Sequence, residues 1–235
     1  MKNYYDIAII GGGIGGLMTA YRITEKNPSA SVCIIEKGHA IEQRTCPIVT
    51  KKVDKCIKCP SCAIMEGLAG AGAFSDGKYN ITNDFGGTLY EYIGREKAIS
   101  LMKYVDEINC AYGGAKTHMY STANTKFKKI CMQNKLTLLD ASVRHLGTDI
   151  NYVVLENLFA KLKDKVDFYF QTPVDKIEKK QEGYKVLYKD GEAECTECII
   201  SVGRSGSKWM QSICEDLDIS TKSNRVDIGV RVELP

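Results

Sequence analysis

Three glycines near the amino terminus have the spacing of a loop that binds a nucleotide pyrophosphate. Gly11, Gly13 and Gly16 follow an apolar run at residues 5–10 and precede a helical pattern at residues 15–26. In such a loop the first glycine permits a tight turn, the second lets the backbone approach the phosphates, and the third lets helix and strand pack closely. The amino terminus of the helix adds N–H groups and partial positive charge. The sequence therefore predicts a dinucleotide site here.

An acidic residue stands where such a loop binds a ribose. Glu36 ends a second apolar run, residues 31–35, and follows Gly16 by 20 residues. At this position in a β-α-β unit, a carboxylate accepts hydrogen bonds from the ribose hydroxyl groups of adenosine. The same negative charge repels a 2′-phosphate, which argues against NADP at this site. The alternative is a glycine turn that binds no ligand. The presence of a strand before the loop, a helix after it and Glu36 at the expected distance disfavours that alternative.

Four cysteines have the spacing of a metal site. Cys56, Cys59 and Cys62 are three residues apart, and Cys46 lies ten residues before the first of them. Three thiolates on one short loop can converge on one metal centre, and a fourth completes the ligand set of zinc or of an iron–sulfur cluster. A redox-active dithiol and free structural thiols are the alternatives. Because the Cys-Pro pair that ends a ferredoxin run is absent after Cys62, the pattern leaves all three open.

The composition narrows the class of protein. Of 235 residues, 44% are apolar and 26% are charged, ordinary values for a globular chain that can bury a full core. The net charge of +3, from scattered Lys and Arg, argues against nucleic acid as a partner. No run of about 18 apolar residues indicates a membrane span. Ten cysteines without a secretory signal predict a cytoplasmic location, and the expected partner is a small-molecule substrate.

The remaining elements follow from apolar periodicity and turn residues. Helices are predicted over residues 96–110, 125–134 and 148–163, the last with Thr148 as its N-cap. Strands are predicted over residues 166–170, 174–180, 184–188, 192–195 and 198–202. Tight turns at Gly183 and Gly191 make the strands between 174 and 195 an antiparallel meander. A last strand at 226–232 has no closing element after it, so we expect a longer protein to continue.

The order of these elements distinguishes between two cofactors that share the glycine loop. A plain NAD dehydrogenase continues with further β-α units, whereas here a meander comes before the apolar strand that ends at Gly203. No second G-x-G-x-x-G indicates a separate NAD(P)H domain. The order resembles the FAD-binding domain of glutathione-reductase-like flavoproteins. That resemblance implies an α/β fold, with a Rossmann-like FAD-binding domain, an antiparallel β-meander and the start of a second, substrate domain.

Three further stretches make the resemblance more specific. They are GLAGAGAFSDGKYN at residues 67–80, HLGTDINYVVLENL at 145–158 and VGRSGSKWM at 202–210. With DIGVRVELP at 227–235, they resemble the uncharacterised FAD-dependent dehydrogenase family of bacteria and archaea, whose members are usually longer. The family implies an FAD-binding domain over residues 1–220, with a Cys- and Gly-rich insertion at about 40–90. It also implies that residues 221–235 begin a truncated substrate domain.

The resemblance assigns residues to the cofactor. It places Arg44 as a cation near the cofactor, Val174 beside the adenine, Gly203 beside the pyrophosphate and the loop 70–78 near the flavin ring. The cofactor-binding residues implied in this way are Gly11, Gly13, Ile14, Gly15, Gly16, Glu36, Lys37, Arg44, Gly70, Gly72, Ala73, Phe74, Ser75, Val174, Val202, Gly203 and Arg204.

The function implied by the resemblance is an FAD-dependent oxidoreductase of unknown substrate, with two-electron flavin chemistry. NAD(P)H is one candidate electron donor, and a cysteine-ligated iron–sulfur or zinc centre is a candidate second cofactor. The alternatives are an FAD- or metal-binding redox sensor without turnover and an NAD-dependent dehydrogenase. No catalytic residue is identified. His145 is predicted to be a surface or capping residue, and the other cysteines, including the Cys195-x-x-Cys198 pair, are predicted to be structural.

Overall fold

The computed structural model describes residues 1–123 and 126–223, together with Ile228 and Glu233. Within these residues the chain forms six α-helices: α1 (Ile14–Lys26), α2 (Leu89–Ile93), α3 (Arg95–Ala111), α4 (Lys126–Gln133), α5 (Gly147–Leu162) and α6 (Ser207–Asp216). The same residues contain nine strands: β1 (Tyr4–Ile10), β2 (Val32–Ile35), β3 (Lys78–Ile81), β4 (Met119–Ser121), β5 (Ser142–His145), β6 (Asp167–Tyr169), β7 (Val174–Lys179), β8 (Tyr184–Tyr188) and β9 (Gly191–Ile200). The fold is therefore mixed α/β.

The larger of two sheets has the strand order β6-β2-β1-β9-β8-β7. The pairs β6·β2, β2·β1 and β1·β9 are parallel, and the pairs β9·β8 and β8·β7 are antiparallel. Helix α1 connects β1 to β2, so the predicted β-α-β unit is confirmed. All four residues of β2 are buried, because a parallel strand is covered on both faces.

Strand β9 corrects one prediction. Residues 192–195 and 198–200 are not in two strands but in a single strand that runs from Gly191 to Ile200, and the last two residues of the predicted strand, Ser201 and Val202, lie beyond its end. Its neighbour on one side is β8, where Cys195 pairs with Tyr184, and on the other side it is β1, where Cys195 pairs with Tyr5. The residues between the two predicted strands, Thr196 and Glu197, include no glycine or proline that would end a strand. The meander is consequently an extension of the parallel sheet.

The larger sheet is covered on both faces. One apolar cluster packs helices α1 and α5 against β1 and β2, with Leu17 and Leu155 fully buried at its centre. A second cluster joins the opposite face to the meander and to α6, through Tyr5, Ile177 and Ile213. These two layers fix the carboxyl ends of β1, β2 and β9, where the candidate site lies.

The smaller sheet was not predicted. Its order is β3-β5-β4, and both pairs are antiparallel. A buried ion pair attaches it to α3, because Nε and Nη2 of Arg144 donate to the two carboxylate oxygens of Asp106 at 2.6 and 2.8 Å. Arg144 also donates to the carbonyl oxygen of Thr117 at 2.6 Å. This sheet and its helices follow the glycine-rich loop in the chain.

Two other predictions concern the residue that caps α5 and a strand near the carboxyl end of the sequence. Helix α5 begins at Gly147 and no side chain caps it, so the prediction of Thr148 as N-cap is wrong. The preceding Leu146 is already helical, with φ −75° and ψ −30°, and an N-cap requires an extended backbone. The predicted strand at 226–232 lies outside the described residues. Among the helices of the described ranges, none is long and apolar enough to cross a membrane.

Candidate functional site

A cavity of about 510 Å³ opens at the carboxyl ends of β1, β2 and β9. Parallel α/β sheets bind their ligands at this edge, and the volume is within the range of about 300–1,000 Å³ that is usual for cofactor sites. Five segments contribute to its wall, within residues 10–15, 35–37, 65–72, 172–174 and 201–209.

The glycine loop between β1 and α1 forms one end of the cavity. Gly11 has φ +105°, and a Cβ there would lie 2.8 Å from the carbonyl oxygen of Ser201. A Cβ on Gly16 would overlap the carbonyl oxygen of Gly11, so close packing excludes any larger residue. A Cβ on Gly13 would meet only the Cα of Gly70, at 4.0 Å. No side chain caps the amino terminus of α1 and its first turn has no acidic residue, so its N–H groups are available to an anion.

Glu36 is buried at the end of β2 and lines the cavity. Its Oε2 accepts the N–H of Gly12 at 2.7 Å, and its Oε1 accepts the N–H groups of Gly38 at 2.8 Å and Gly67 at 3.1 Å. A carboxylate has about four acceptor positions, so three backbone bonds leave capacity for a ligand hydroxyl group. Glu36 therefore holds two glycine segments together as well as facing the cavity.

A second glycine-rich turn lies directly against the first loop. Ala69 donates its N–H to the carbonyl oxygen of Gly12 at 2.7 Å, and it forms a parallel β-bridge with Gly13. Its φ of +67° is left-handed, which is uncommon for a residue with a Cβ. A short 3₁₀ helix, Gly70–Phe74, follows it. This turn completes the wall opposite α1.

Arg44 lies behind the second turn and does not line the cavity. Its side chain is buried, and its guanidinium donates to four backbone carbonyl oxygens, those of Ala63, Ile64, Leu68 and Gly70, at 2.6–2.9 Å. Burial lowers its pKa, and the negative charge of Glu36 opposes that effect. The donors of this side chain are thus turned to the protein backbone, and the role of Arg44 as a cation near the cofactor stays a prediction.

Two connections complete the wall, one from β6 to β7 and one from β9 to α6. Thr172, Pro173 and Val174 lead into β7, and residues 201–206 lead from β9 into α6. Arg204 lines the cavity in this second connection. No side chain caps the amino terminus of α6 either, so two uncapped helix ends border the cavity.

An ion pair that was not predicted borders the cavity near Glu36. Nζ of Lys37 lies 2.8 Å from Oε1 of Glu66, and both residues line the wall. The other oxygen of Glu66 accepts the N–H of Cys62 at 3.3 Å. The positive charge of Lys37, which follows Glu36 in the chain, is therefore paired with the carboxylate of Glu66 in the cysteine-rich segment.

The candidate metal ligands do not converge. Cys46, Cys59 and Cys62 are partly buried and Cys56 is exposed, and all four are free thiols. Within the described ranges, no three His, Cys, Asp or Glu side chains are grouped as metal ligands. The loop is instead held by hydrogen bonds within its own backbone, for example from the N–H of Glu66 to the carbonyl oxygen of Cys62 at 2.8 Å. This arrangement does not fit zinc or an iron–sulfur cluster.

The structure brings most of the predicted cofactor residues to one cavity. Those on its wall are Gly11, Gly13, Ile14, Gly15, Glu36, Lys37, Gly70, Gly72, Val174, Val202, Gly203 and Arg204. Gly16, Arg44, Ala73 and Phe74 do not line the cavity, and neither does Ser75, which is exposed. Ala73 is fully buried and Phe74 packs into the same apolar cluster, since the 3₁₀ helix turns these side chains toward the core.

The wall also contains residues outside the predicted cofactor set, which are Ile10, Ile35, Met65, Glu66, Gly67, Ala69, Ala71, Thr172, Pro173, Ser201, Ser205, Gly206 and Trp209. Thr172 and Pro173 had a signal, because they come immediately before Val174, the predicted adenine contact.

Three polar residues form an exposed group beyond the second turn. Oδ1 of Asp76 lies 3.3 Å from Nε2 of His145, and its Oδ2 lies 3.4 Å from Nζ of Lys78. The hydrogen bond from Lys78 lowers the pKa of Asp76. Nearby, Tyr79 donates to Oδ1 of the buried Asn151, whose amide donates to the carbonyl oxygen of Gly72. Asn151 thus ties the smaller sheet to the cavity wall, and His145 is a surface residue as predicted.

Comparisons with known proteins agree with this architecture. A family model described as an NAD(P)-binding Rossmann-like domain matches residues 9–41. No curated protein matches the sequence.

Among solved structures, glycine oxidase from Geobacillus kaustophilus has a TM-score of 0.52 at 16% identity, over 93% of this chain and 60% of that one. L-α-glycerophosphate oxidase from Mycoplasma pneumoniae, with FAD bound, has a TM-score of 0.52 at 14% identity, over 91% and 57%. Glycine oxidase from Bacillus cereus has a TM-score of 0.50 at 15% identity, over 92% and 58%. The chain therefore has the fold of a Rossmann-like nucleotide-binding domain and spans somewhat more than half the length of these proteins.

Proposed function

We propose that the protein is an FAD-dependent oxidoreductase whose nucleotide-binding fold is of the glutathione-reductase type. The observation that carries the proposal is the cavity itself, in which an uncapped helix end, a ribose-type carboxylate and two glycine turns meet. The antiparallel meander that extends the sheet supports FAD over NAD. The similar fold of an oxidase solved with FAD bound is further support.

The residues of the wall fit the adenosine diphosphate half of FAD. The α1 N–H groups and the open space at Gly13 suit a pyrophosphate, because a Cβ there would project into the site. The remaining acceptor capacity of Glu36 suits the ribose hydroxyl groups. Residues 172–174 would face the adenine, and the connection from β9 to α6 would pass the pyrophosphate, with Arg204 as a counter-charge.

Bound flavin would supply hydride or electron transfer, which is the chemistry of the cofactor rather than of the side chains. The chain's own residues position it and keep the second turn in place. The exposed group of Asp76, Lys78 and His145 begins just beyond Ser75, where the flavin ring is expected. No catalytic role is assigned to these side chains, and the proposed substrate is a small molecule of unidentified class. NAD(P)H as the electron donor belongs to the same proposal.

The domain assignment is part of this proposal. Residues 1–220 would form the FAD-binding domain, with the insertion at about 40–90 supplying the second turn. Residues 221–235 would begin a substrate domain, and most of them lie outside the described residues. Because Cys46, Cys56, Cys59 and Cys62 do not converge, no electron-transfer step is assigned to a metal centre.

An NAD-dependent dehydrogenase is the second candidate, because the family model that matches residues 9–41 is described as NAD(P)-binding. One experiment separates the candidates. The full-length protein is purified, titrated with FAD and separately with NAD, and its absorption spectrum is recorded. We expect FAD to stay with the protein through gel filtration and to give a band near ~450 nm in the protein fraction that dithionite bleaches. Saturable NAD binding without FAD binding would support the second candidate, and flavin that binds without turnover would support a redox sensor.

A further inference from the structure

We propose that Arg44 is a positioning residue that holds the second glycine turn, residues 67–70, in the shape that completes the nucleotide cavity. It acts through backbone carbonyl groups and does not touch the cofactor. The identity of the ligand rests on the proposed function, whereas the structural part of the proposal concerns the protein alone.

The guanidinium group donates to carbonyl groups of the turn and of the segment that leads into it. Nη1 donates to the carbonyl oxygen of Leu68 at 2.6 Å and to that of Gly70 at 2.8 Å, the two carbonyl groups that flank Ala69. Nε and Nη2 donate to the carbonyl oxygens of Ala63 and Ile64, both at 2.9 Å. Four of the five guanidinium N–H groups, which have a fixed planar geometry, are thereby directed to one short segment.

The surroundings of Arg44 fix its own orientation. The guanidinium carbon lies 4.7 Å from the centre of the Phe74 ring, a distance typical of a cation–π contact. A Cβ on Gly67 would lie 2.8 Å from Cδ of Arg44, so only glycine lets the side chain pass. The arginine is packed between an aromatic ring and a glycine, which leaves it little freedom to reach into the cavity.

The turn needs such support because of Ala69. This residue is 1% exposed and its φ is +67°, a region that an L-residue occupies only when its surroundings enforce it. Its N–H bond to Gly12 is one of the contacts that join the second turn to the dinucleotide loop. If the flanking carbonyl groups lose their donor, Ala69 relaxes to negative φ and Gly70 moves away from Gly13. The cavity wall then opens even though Arg44 makes no contact with the ligand.

The first test measures the turn without a cofactor. Hydrogen–deuterium exchange of the apo full-length protein is compared for wild type, Arg44→Lys and a matched surface control, Arg22→Lys. Lysine keeps the charge but cannot bond four carbonyl groups in one plane, so we expect at least about tenfold faster exchange in the peptide that contains Ala69. We expect Arg22→Lys to exchange like wild type. Equal exchange in Arg44→Lys and wild type would overturn the proposal.

The second test measures FAD binding, at a temperature where every variant is folded by circular dichroism. We expect Arg44→Lys to bind FAD about tenfold more weakly than wild type. The double variant Arg44→Lys/Ala69→Gly should recover at least about half of that loss on a logarithmic scale, because glycine adopts φ +67° without support. A purely stabilising arginine would change Tm but not affinity. A cofactor-contacting arginine would show no recovery, and either result would overturn the proposal.

The two proposals fail in different ways. If wild type binds no FAD, the proposed function is wrong, while the exchange experiment still decides the role of Arg44. If wild type binds FAD and Arg44→Lys binds it equally well, the proposed function stands and the positioning role is wrong.

Discussion

Replacing Glu36 with glutamine tests whether one carboxylate organises both glycine segments. The side chain is 6% exposed and accepts three backbone N–H groups, from Gly12, Gly38 and Gly67. Glutamine has the same shape but offers one acceptor oxygen and an NH₂ group. If its oxygen replaces Oε1, the NH₂ group faces the N–H of Gly12, and a buried donor loses its acceptor.

The magnitude follows from these three bonds. A buried donor without an acceptor costs about 1–3 kcal/mol. The two bonds that survive lose their charge assistance, which is worth about 1 kcal/mol each. The free energy of unfolding should therefore fall by about 3–5 kcal/mol. For a chain of this length, each kcal/mol lowers Tm by roughly 2–4 °C, so we expect a decrease of about 10 °C.

Thermal unfolding followed by circular dichroism measures this effect in the apo protein at pH 7. Glu182→Gln is the matched control, since Glu182 is exposed and should shift the free energy of unfolding by no more than about 0.5 kcal/mol. If Glu36→Gln unfolds at the same temperature as that control, the carboxylate does not hold the two segments and the reasoning is refuted.

Three further predictions concern the cavity and its border. Gly16→Ala should have a lower Tm than wild type, because its Cβ overlaps a carbonyl oxygen of the loop. Gly13→Ala should keep the wild-type Tm but bind FAD more weakly in a fluorescence titration. Equal Tm values for the two variants would contradict the geometry. Burial raises the pKa of Cys33 to about 12, whereas Cys56 is exposed. Iodoacetamide at pH 8 should therefore label Cys56 and not Cys33 in a mass-spectrometric peptide map. Labelling of both thiols at similar rates would contradict this prediction. Burial alone would raise the pKa of Glu66, but its hydrogen bond to the paired lysine lowers it below the ordinary value. A lowered pKa stabilises the fold above the unfolded value of about 4.3, and this stabilisation is lost as the pH falls through the folded pKa. Glu66→Gln should therefore lower Tm at pH 7, and the difference from wild type should shrink as the pH is lowered below about 4.

The dinucleotide loop and Glu36 could be predicted because the residues that form this part of the site lie close together in the chain. The glycine spacing and Glu36 lie within one β-α-β unit of about 30 residues, whose geometry is fixed by strand, helix and crossover. The same locality explains why the boundaries of β1, α1 and β2 agree with the pattern to within about one residue. Long helices with an apolar stripe, such as α3 and α5, were predicted for the same reason.

The second glycine turn could not be predicted from residue spacing, because it is held by contacts with backbone groups that are far apart in the chain. Nothing in the sequence around Arg44 indicates that its donors point to carbonyl groups 19–26 residues away rather than to a ligand. The left-handed Ala69 is invisible for a related reason, since sequence reasoning assigns positive φ to glycine first. The short strands β3, β4 and β5 have mixed polar residues and no alternation long enough to indicate a sheet.

The pairing of β1 with β9 has a consequence for the order in which the protein can fold. The hydroxyl of Ser201 donates to the carbonyl oxygen of Gly11 at 3.0 Å, across 190 residues of chain. A nascent chain that has emerged only as far as α5 therefore carries its glycine motif beside an unpaired strand edge. Contacts of such wide separation form late and slow the folding reaction. We accordingly expect competence to capture a nucleotide to arise abruptly, once the ribosome has released the segment after β9.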